Sequence, residues 1–411
     1  MKDILKISLL CTLSCMLALP AYADDDEGKN MFNPITTGVT TLSIAPDARG
    51  GGMGDLGAAT DPDVNSQYWN PAKYAFAFSS AGVAFSYTPW LRKLVNDINL
   101  IYAAGYWKFG GNDLQALSAS LRYFSLGSVP LYDSNSNLQN TVNPYEMAID
   151  VGYSRKLASS FSMGVVFRFI YSDMGFGGLS SAEDMSGAAA FAADISGYQT
   201  VYPIIGRNEC QFSWGFNISN IGSKVSYDGG TNSAFLPTNL RLGFSFLFPI
   251  YDYNTIAINF DANKLLVPAA PRQSDYTYID EEGNTQYDME KYEQAKENFN
   301  NTGSISGIFK SFHDAPGGFK EEMQEIYFSA GLEYSYNRRF FLRAGYYYEN
   351  KYKGNRQYAT FGTGFSLNVF SLDVAYVLAT AQSSPLDQTL RFSLAFDMDG
   401  IKSLINRRRR R

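Results

Sequence analysis

Runs of about ten residues in which apolar and polar side chains alternate recur along most of this chain, and they constrain its fold more than any other feature. In YEMAIDVGYSRK, Tyr145, Met147, Ile149, Val151 and Tyr153 fall on one face, with Glu146, Asp150 and Ser154 on the other. In FSMGVVFRFIYS, Phe161, Met163, Val165, Phe167, Phe169 and Tyr171 oppose Ser162, Gly164 and Arg168. NLRLGFSFLF sets Leu240, Leu242, Phe244, Phe246 and Phe248 against Arg241, Gly243 and Ser245. IYFSAGLEYSY and TLRFSLAFD repeat the pattern, with Glu333 and Arg391 on the polar side. Side chains on a strand point alternately to opposite faces, so each run has one greasy and one wet surface.

A soluble sandwich has the same period. Run length, aromatic placement and connection spacing favour a membrane barrel. A tilted strand crosses a bilayer in about 9–11 residues. The apolar faces are rich in Phe, Tyr and Leu, with Tyr near run ends as in an interfacial girdle. Fourteen such runs lie between residues 79 and 397. Connections 89–96, 126–144, 173–186, 221–237 and 264–325 are long, and 350–355 and 380–387 shorter. The intervening ones are mostly tight: GGND, LASS, IYDYN, YNRR and NVFS, with 199–208 intermediate. Long loops on one side and short turns on the other predict an all-β, antiparallel transmembrane barrel of about 14 strands over 79–397, both termini periplasmic. Closure is what hydrocarbon demands, because an open sheet edge there leaves backbone groups unpaired.

Composition narrows the classes further. Aromatics make up 15% of the chain and charged residues 18%, which excludes a disordered chain and argues against a helical bundle. A net charge of −6 gives no case for nucleic-acid binding. Residues 1–23 read as a secretory signal: Lys2 and Lys6, the apolar ISLLCTLSCMLAL, then Ala21-Tyr22-Ala23 as the cleavage site. Cys11 and Cys15 leave with it, so Cys210 remains alone and neither an internal disulfide nor a thiolate metal cluster is expected.

Residues 24–78 depart from the strand pattern. Gly52-x-Gly54-x-x-Gly57 matches a dinucleotide fingerprint in spelling, without the strand and helix that motif needs. Asp61, Asp63 and Asn65 begin like a calcium loop, but Ser66 and Ala72 stand where Gly and Glu are required. The segment is expected to fold inside the barrel as a glycine-rich hatch, where missing side chains let backbones approach closely.

The stretch ARGGGMGDLGAATDPDVNSQYWNPAKYA resembles the hatch of FadL-like outer-membrane barrels, the motif being Tyr68, Trp69, Asn70, Pro71 and Ala72. Together with SIAPDARGGGMGDLG, FLPTNLRLG and the run from IYFSAGLEYSY to LDVAYVL, it resembles more closely the PorV (LptO) family of the type IX secretion system. The resemblance implies a 14-stranded outer-membrane barrel of a Gram-negative bacterium that works in protein secretion. It implies, as partners, a SprA-like translocon, cargo with a C-terminal signal domain and a PorU-like sortase attachment complex, besides outer-membrane lipid. No cofactor is expected. The alternative is a FadL-type transporter of hydrophobic small molecules.

An enzyme is not expected. The single histidine, His313, lies in the longest loop, away from any rigid triad-like setting. Inward Glu146 and Asp150, with Arg122, Arg168, Arg241 and Arg343, predict a wet, charge-compensated lumen. The loop 264–325, expected to be extracellular, carries 12 acidic and 5 basic residues over 269–325, a net −7 that favours protein binding. Within it Ile305, Ile308, Phe309 and Phe312 are spaced as one stripe of a short helix, a candidate partner-binding anchor. Residues 398–411 form a basic periplasmic tail, in which Ile401, Leu404 and Ile405 precede Arg407 to Arg411 at helical spacing.

Overall fold

Each barrel strand pairs only with neighbours that keep its alternation in register. In the computed structural model the strands are β1 (Ala81–Pro89), β2 (Ile98–Phe109), β3 (Gln115–Leu126), β4 (Tyr145–Lys156), β5 (Phe161–Asp173), β6 (Ala188–Val201) and β7 (Gln211–Gly222). The wall continues with β8 (Asn239–Tyr251), β9 (Asn254–Leu265), β10 (Ile326–Tyr336), β11 (Phe340–Tyr348), β12 (Gln357–Ser366), β13 (Phe370–Ala379) and β14 (Leu390–Asp397). Consecutive strands pair antiparallel, and β14 pairs back onto β1, closing a fourteen-stranded barrel as the alternation predicts. The structure describes residues 32–92, 95–132, 135–175, 187–229, 233–280, 284–380 and 386–409. The expected signal, residues 1–23, and the last two arginines lie outside these.

The outward face is apolar. Phe167 is 73% exposed, and Val151, Leu332 and Phe361 share its exposed setting. Toward one rim the rings of Tyr123, Tyr145 and Tyr171 follow one another at 5.6 and 6.0 Å. Toward the other, Trp107 stacks on Phe109 at 5.6 Å and Phe161 on Trp214 at 6.4 Å. Two aromatic bands flanking an aliphatic and Phe-rich belt are what a barrel presents to a bilayer. The tight connections are built accordingly. Between β10 and β11, Asn337 and Arg338 both take left-handed φ, 54° and 51°, which matches the right-handed twist of the flanking strands.

The inward face differs from the expectation of a wet lumen. Arg122, Arg168, Arg241 and Arg343 are each no more than 7% exposed. Arg168 donates to Asp150 at 2.7 and 3.0 Å, to Asp194 at 2.9 and 3.1 Å, and to the Asn220 side chain. Arg343 donates to Glu333 and to Asp373, both at 2.6 Å. The charges are compensated, and around Arg122, Arg168 and Arg241 the segment 33–80 packs against them and leaves only about 30 Å³. Arg122, for example, donates to the Thr41 carbonyl at 2.6 Å. In sequence, an inward charge looks the same whether it faces water or a packed segment.

Two outcomes follow for adjacent residues. Phe167→Arg places a charge in lipid and should block insertion, at a cost of about 2–4 kcal/mol at the midplane; its yield in purified outer membranes is the readout. Arg168→Ser should insert but leave the Asp150 and Asp194 charges buried without a cation, with only Ser120 and the Asn220 amide still donating to them, costing about 3–5 kcal/mol. Its barrel should lose heat resistance on unboiled gels at a clearly lower temperature, whereas a wet lumen would leave that temperature unchanged.

Candidate functional site

The plug is assembled around the motif Tyr68 to Ala72. Asp47 caps the helix α1 (Ala48–Gly51) by accepting from the Gly50 amide at 2.9 Å, and accepts from the Trp69 indole at 2.6 Å. Trp69, on α2 (Ser66–Trp69), then fills the space above Gly50 and Gly57, where any Cβ would collide with its ring. Asn70 holds three backbones together. Its amide donates to the Ala58 carbonyl at 2.8 Å and to the Gly197 carbonyl of β6 at 2.9 Å, and its oxygen accepts from the Ala72 amide at 3.1 Å. Pro71 opens the 3-10 turn Pro71–Phe76, a first-turn position that needs no N–H. Ala72 is tied to the wall on both sides of its peptide: its amide donates to Ser196 at 3.2 Å and its carbonyl accepts from Ser162 at 2.7 Å. Tyr68 lies between two guanidinium groups, Arg122 at 4.9 Å and Arg241 at 5.2 Å from its ring centre. Such contacts are strengthened by desolvation.

Sequence reasoning missed the far anchors of this plug. Asp55 pairs with Arg391 of β14 and accepts from the Tyr358 hydroxyl of β12 at 2.6 Å. The Ala48 amide donates to Ser393 at 2.8 Å, and the Gly57 and Ala58 amides donate to Asp261 at 2.8 and 3.0 Å. Gly54, at φ 81°, presses against the Tyr346 backbone, and Gly345 leaves room for Met53. Mid-strand glycines such as Gly331 and Gly345 were the available signal, since they mark close backbone approach. The interior is desolvated. Burial, with the charge of Asp63 beside it, raises the Asp47 carboxyl to about 6, and burial lowers the Lys73 ammonium to about 8. Lys73 donates to the Gly57 carbonyl at 2.8 Å and to Thr60 at 3.0 Å. Asp63, weighed as a calcium ligand from sequence, instead pairs with Arg49 at 2.9 Å.

The cavities follow from this packing. Between Tyr68, Arg122, Arg168 and Arg241 there remains about 30 Å³, room for one water. Below the plug, a vestibule of about 310 Å³ opens among Arg49, Asp63, Phe78, Arg338 and Asp397, at the rim of the short turns.

At the opposite rim lies the long loop. It forms the helices α3 (Met289–Asn301), α4 (Ser304–Lys310) and α5 (Phe319–Gln324). α4 seats Gly307 on Phe235 and Pro268 and turns Ile305 and Phe309 outward, 59% and 70% exposed, with Ile308 half-buried at its side. The expected four-residue stripe is therefore divided. The helix ends at Lys310, where Ser311 caps it by donating to the Ile308 carbonyl at 2.8 Å, so Phe312 lies beyond the helix and beside α5. Asp314 and Pro316 follow at once and prevent the helix from continuing.

Comparison with known proteins completes the picture. A family model described as "Type IX secretion system protein PorV" matches residues 27–272. Among curated proteins there is no match. The chain is similar in outline to solved barrels of low identity. The Pseudomonas putida toluene transporter TodX is 10% identical over 86% of this chain and 97% of its own, with a TM-score of 0.46. A Pseudomonas aeruginosa FadL homologue is 12% identical over 89% and 99%, with a TM-score of 0.42. The Ralstonia pickettii toluene transporter TbuX is 10% identical over 86% and 96%, also at 0.42. The family match spans more than half of the chain, and the closed wall with its lipid-facing belt agrees with it: this chain belongs to the PorV family, as an outer-membrane β-barrel component of the type IX secretion system.

Proposed function

We propose that this barrel is a non-enzymatic carrier that works at its outer rim. It receives exported cargo by the C-terminal signal domain at a SprA-like translocon and delivers it to a PorU-like sortase attachment complex. The observation that carries this reading is the contrast between the two parts of the molecule. The lumen is packed and pinned, while the long loop holds apolar side chains out to solvent on a folded platform. Exposed large apolar residues gathered on a rigid element are what a partner-binding surface requires. Ile305, Ile308 and Phe309 on α4 are the proposed anchor.

Passage of a hydrophobic small molecule, the competing reading, needs a path through the lumen or its wall. The pocket between Tyr68 and Arg241 holds about 30 Å³, while ligand pockets run to roughly 300–1,000 Å³, and the vestibule of about 310 Å³ lies below the plug. The wall ladder is continuous, with register shifts at Ile218/Ile221 and Pro249/Tyr251. Transport would require the plug to release Arg391, Asp261 and Ser196 together.

The proposed sidedness puts the long loops outside. Tags at Gly229 or Asn284 should be labelled on intact cells, and a tag at Asn112 only after permeabilisation; labelling of Asn112 on intact cells would invert the arrangement. Affinity purification from outer membranes should recover translocon, sortase complex and signal-bearing cargo. Ile305→Ser with Phe309→Ser should leave a heat-resistant barrel but weaken that recovery. An interface aromatic contributes about 2 kcal/mol or more, which corresponds to roughly thirtyfold in affinity. Normal export by the double variant would place the anchor elsewhere, and recovery of a lone barrel from wild type would favour the transporter.

A further inference from the structure

On β9 the outward register runs Ile256, Ile258, Phe260, Ala262 and then Lys264, which faces the same side as Leu240 of β8 and Ile326 of β10. A lysine in a lipid-facing row is costly unless something covers its charge. Here α5 covers it. The Lys264 ammonium donates to Glu322 at 2.9 Å and to Glu325 at 2.5 Å, and the residue is 8% exposed. Lys353, from the loop between β11 and β12, donates to Glu325 at 3.1 Å and to Glu321 at 2.5 Å. This group of two ammonium and three carboxylate groups fastens α5 against the outside of the wall.

Between α5 and the wall lies a cleft of about 230 Å³. Its floor is Leu240, Leu242, Ala262 and Ile326, all in the outward register of their strands. Its roof is Phe312, Phe319 and Met323, which are 50%, 80% and 47% exposed. Lys264 and Glu322 also border the cleft but bind one another, so its apolar lining offers water few partners, and its volume is below that of ordinary small-molecule pockets. The floor runs on, along the same face of β8, into Phe244 at the lipid-facing belt. The hydrocarbon that already touches this floor can extend into the cleft without crossing water.

We propose that this cleft holds one acyl chain of an outer-leaflet lipid, gripped between the wall and the aromatic roof. The site is annular on one side and protein on the other, so its lipid exchanges more slowly than the rest of the belt. The proposal depends on the sidedness proposed above and not on the cargo role. The tag experiment tests that sidedness separately.

The test is retention. The full-length protein is equilibrated in nanodiscs that contain lipid A beside phosphatidylethanolamine, transferred to mild detergent and weighed by native mass spectrometry. Wild type should keep one lipid. Ala262→Phe, which fills the floor, should lower the lipid-bound fraction at least tenfold. Ala119→Phe, at an exposed outward position of β3, should leave it unchanged. If Ala262→Phe fails to fold, Phe319→Ser with Met323→Ser opens the roof and should lower retention in the same way. Absence of lipid on wild type, equal retention by the cleft variants, or equal loss in Ala119→Phe would each overturn the proposal. So would cleft variants that keep their lipid and lose co-purifying proteins instead, which would make the cleft a protein contact.

Discussion

Every backbone N–H and C=O at membrane depth has to find its partner within the protein, and the closed ladder of fourteen strands is how this chain meets that demand. The rest of the structure depends on that closure. It fixes the two-residue period, which sends Phe167 to lipid and Arg168 inward. It also encloses a space wide enough to need filling. The chain fills it with its own N-terminal segment, and inward charges that water would otherwise solvate are compensated by one another and by that segment. Arg343 serves Glu333 and Asp373, Glu333 also takes Arg49 of the plug, and Arg391 takes Asp55. Buried ion pairs of this sort add little net stability but penalise any arrangement that leaves one member alone. They fix the position of the plug as much as its presence.

The wall was legible because its signals are local. Alternation over ten or so residues, Tyr near run ends, and Asn337-Arg338 between two apolar runs each speak for their own strand. The existence of a plug was legible as the place where alternation fails. Its docking was not, because that depends on residues far apart in the chain: nothing near Asp55 points to Arg391, and nothing near Met53 points to Gly345. The inward arginines were expected to be solvated, since strand periodicity assigns a face but says nothing of what stands opposite it. Phe312 was placed on a helix by spacing alone, and the Ser311 cap with Asp314 and Pro316 beyond it ended that helix two residues earlier. Lys264 sits on the lipid-facing parity, which only the pairing with Leu240 and Ile326 makes visible.

The two rims do different work. At the rim of the short turns the structure is tied down: Asp397 and Asp399 accept from Ser79 and Ser80, fixing the start of the terminal helix α6 (Met398–Arg409) to the residues that lead into β1. At the other rim, helices stand on the wall and hold aromatic side chains clear of it. Rigid support beneath an apolar surface lowers the entropy lost on binding, which is what the proposed docking role asks of the packed lumen below it.

The pairing of Asp55 with Arg391, and of Ala48 with Ser393, joins positions 336 and 345 residues apart. The plug precedes the wall in the chain, yet some of its ties are made to the last strand of that wall. Contacts of such long range are slow to form, because chain entropy is lost before they reward it. The plug is fully seated only with β14 in place, and β14 is also the strand that removes the open edge by pairing with β1. Seating and sealing become one late event. A chain whose plug is misplaced closes with Arg391 lacking Asp55, a buried charge left alone that makes the misassembled barrel costly, so the same pair that holds the plug also penalises a barrel closed without it.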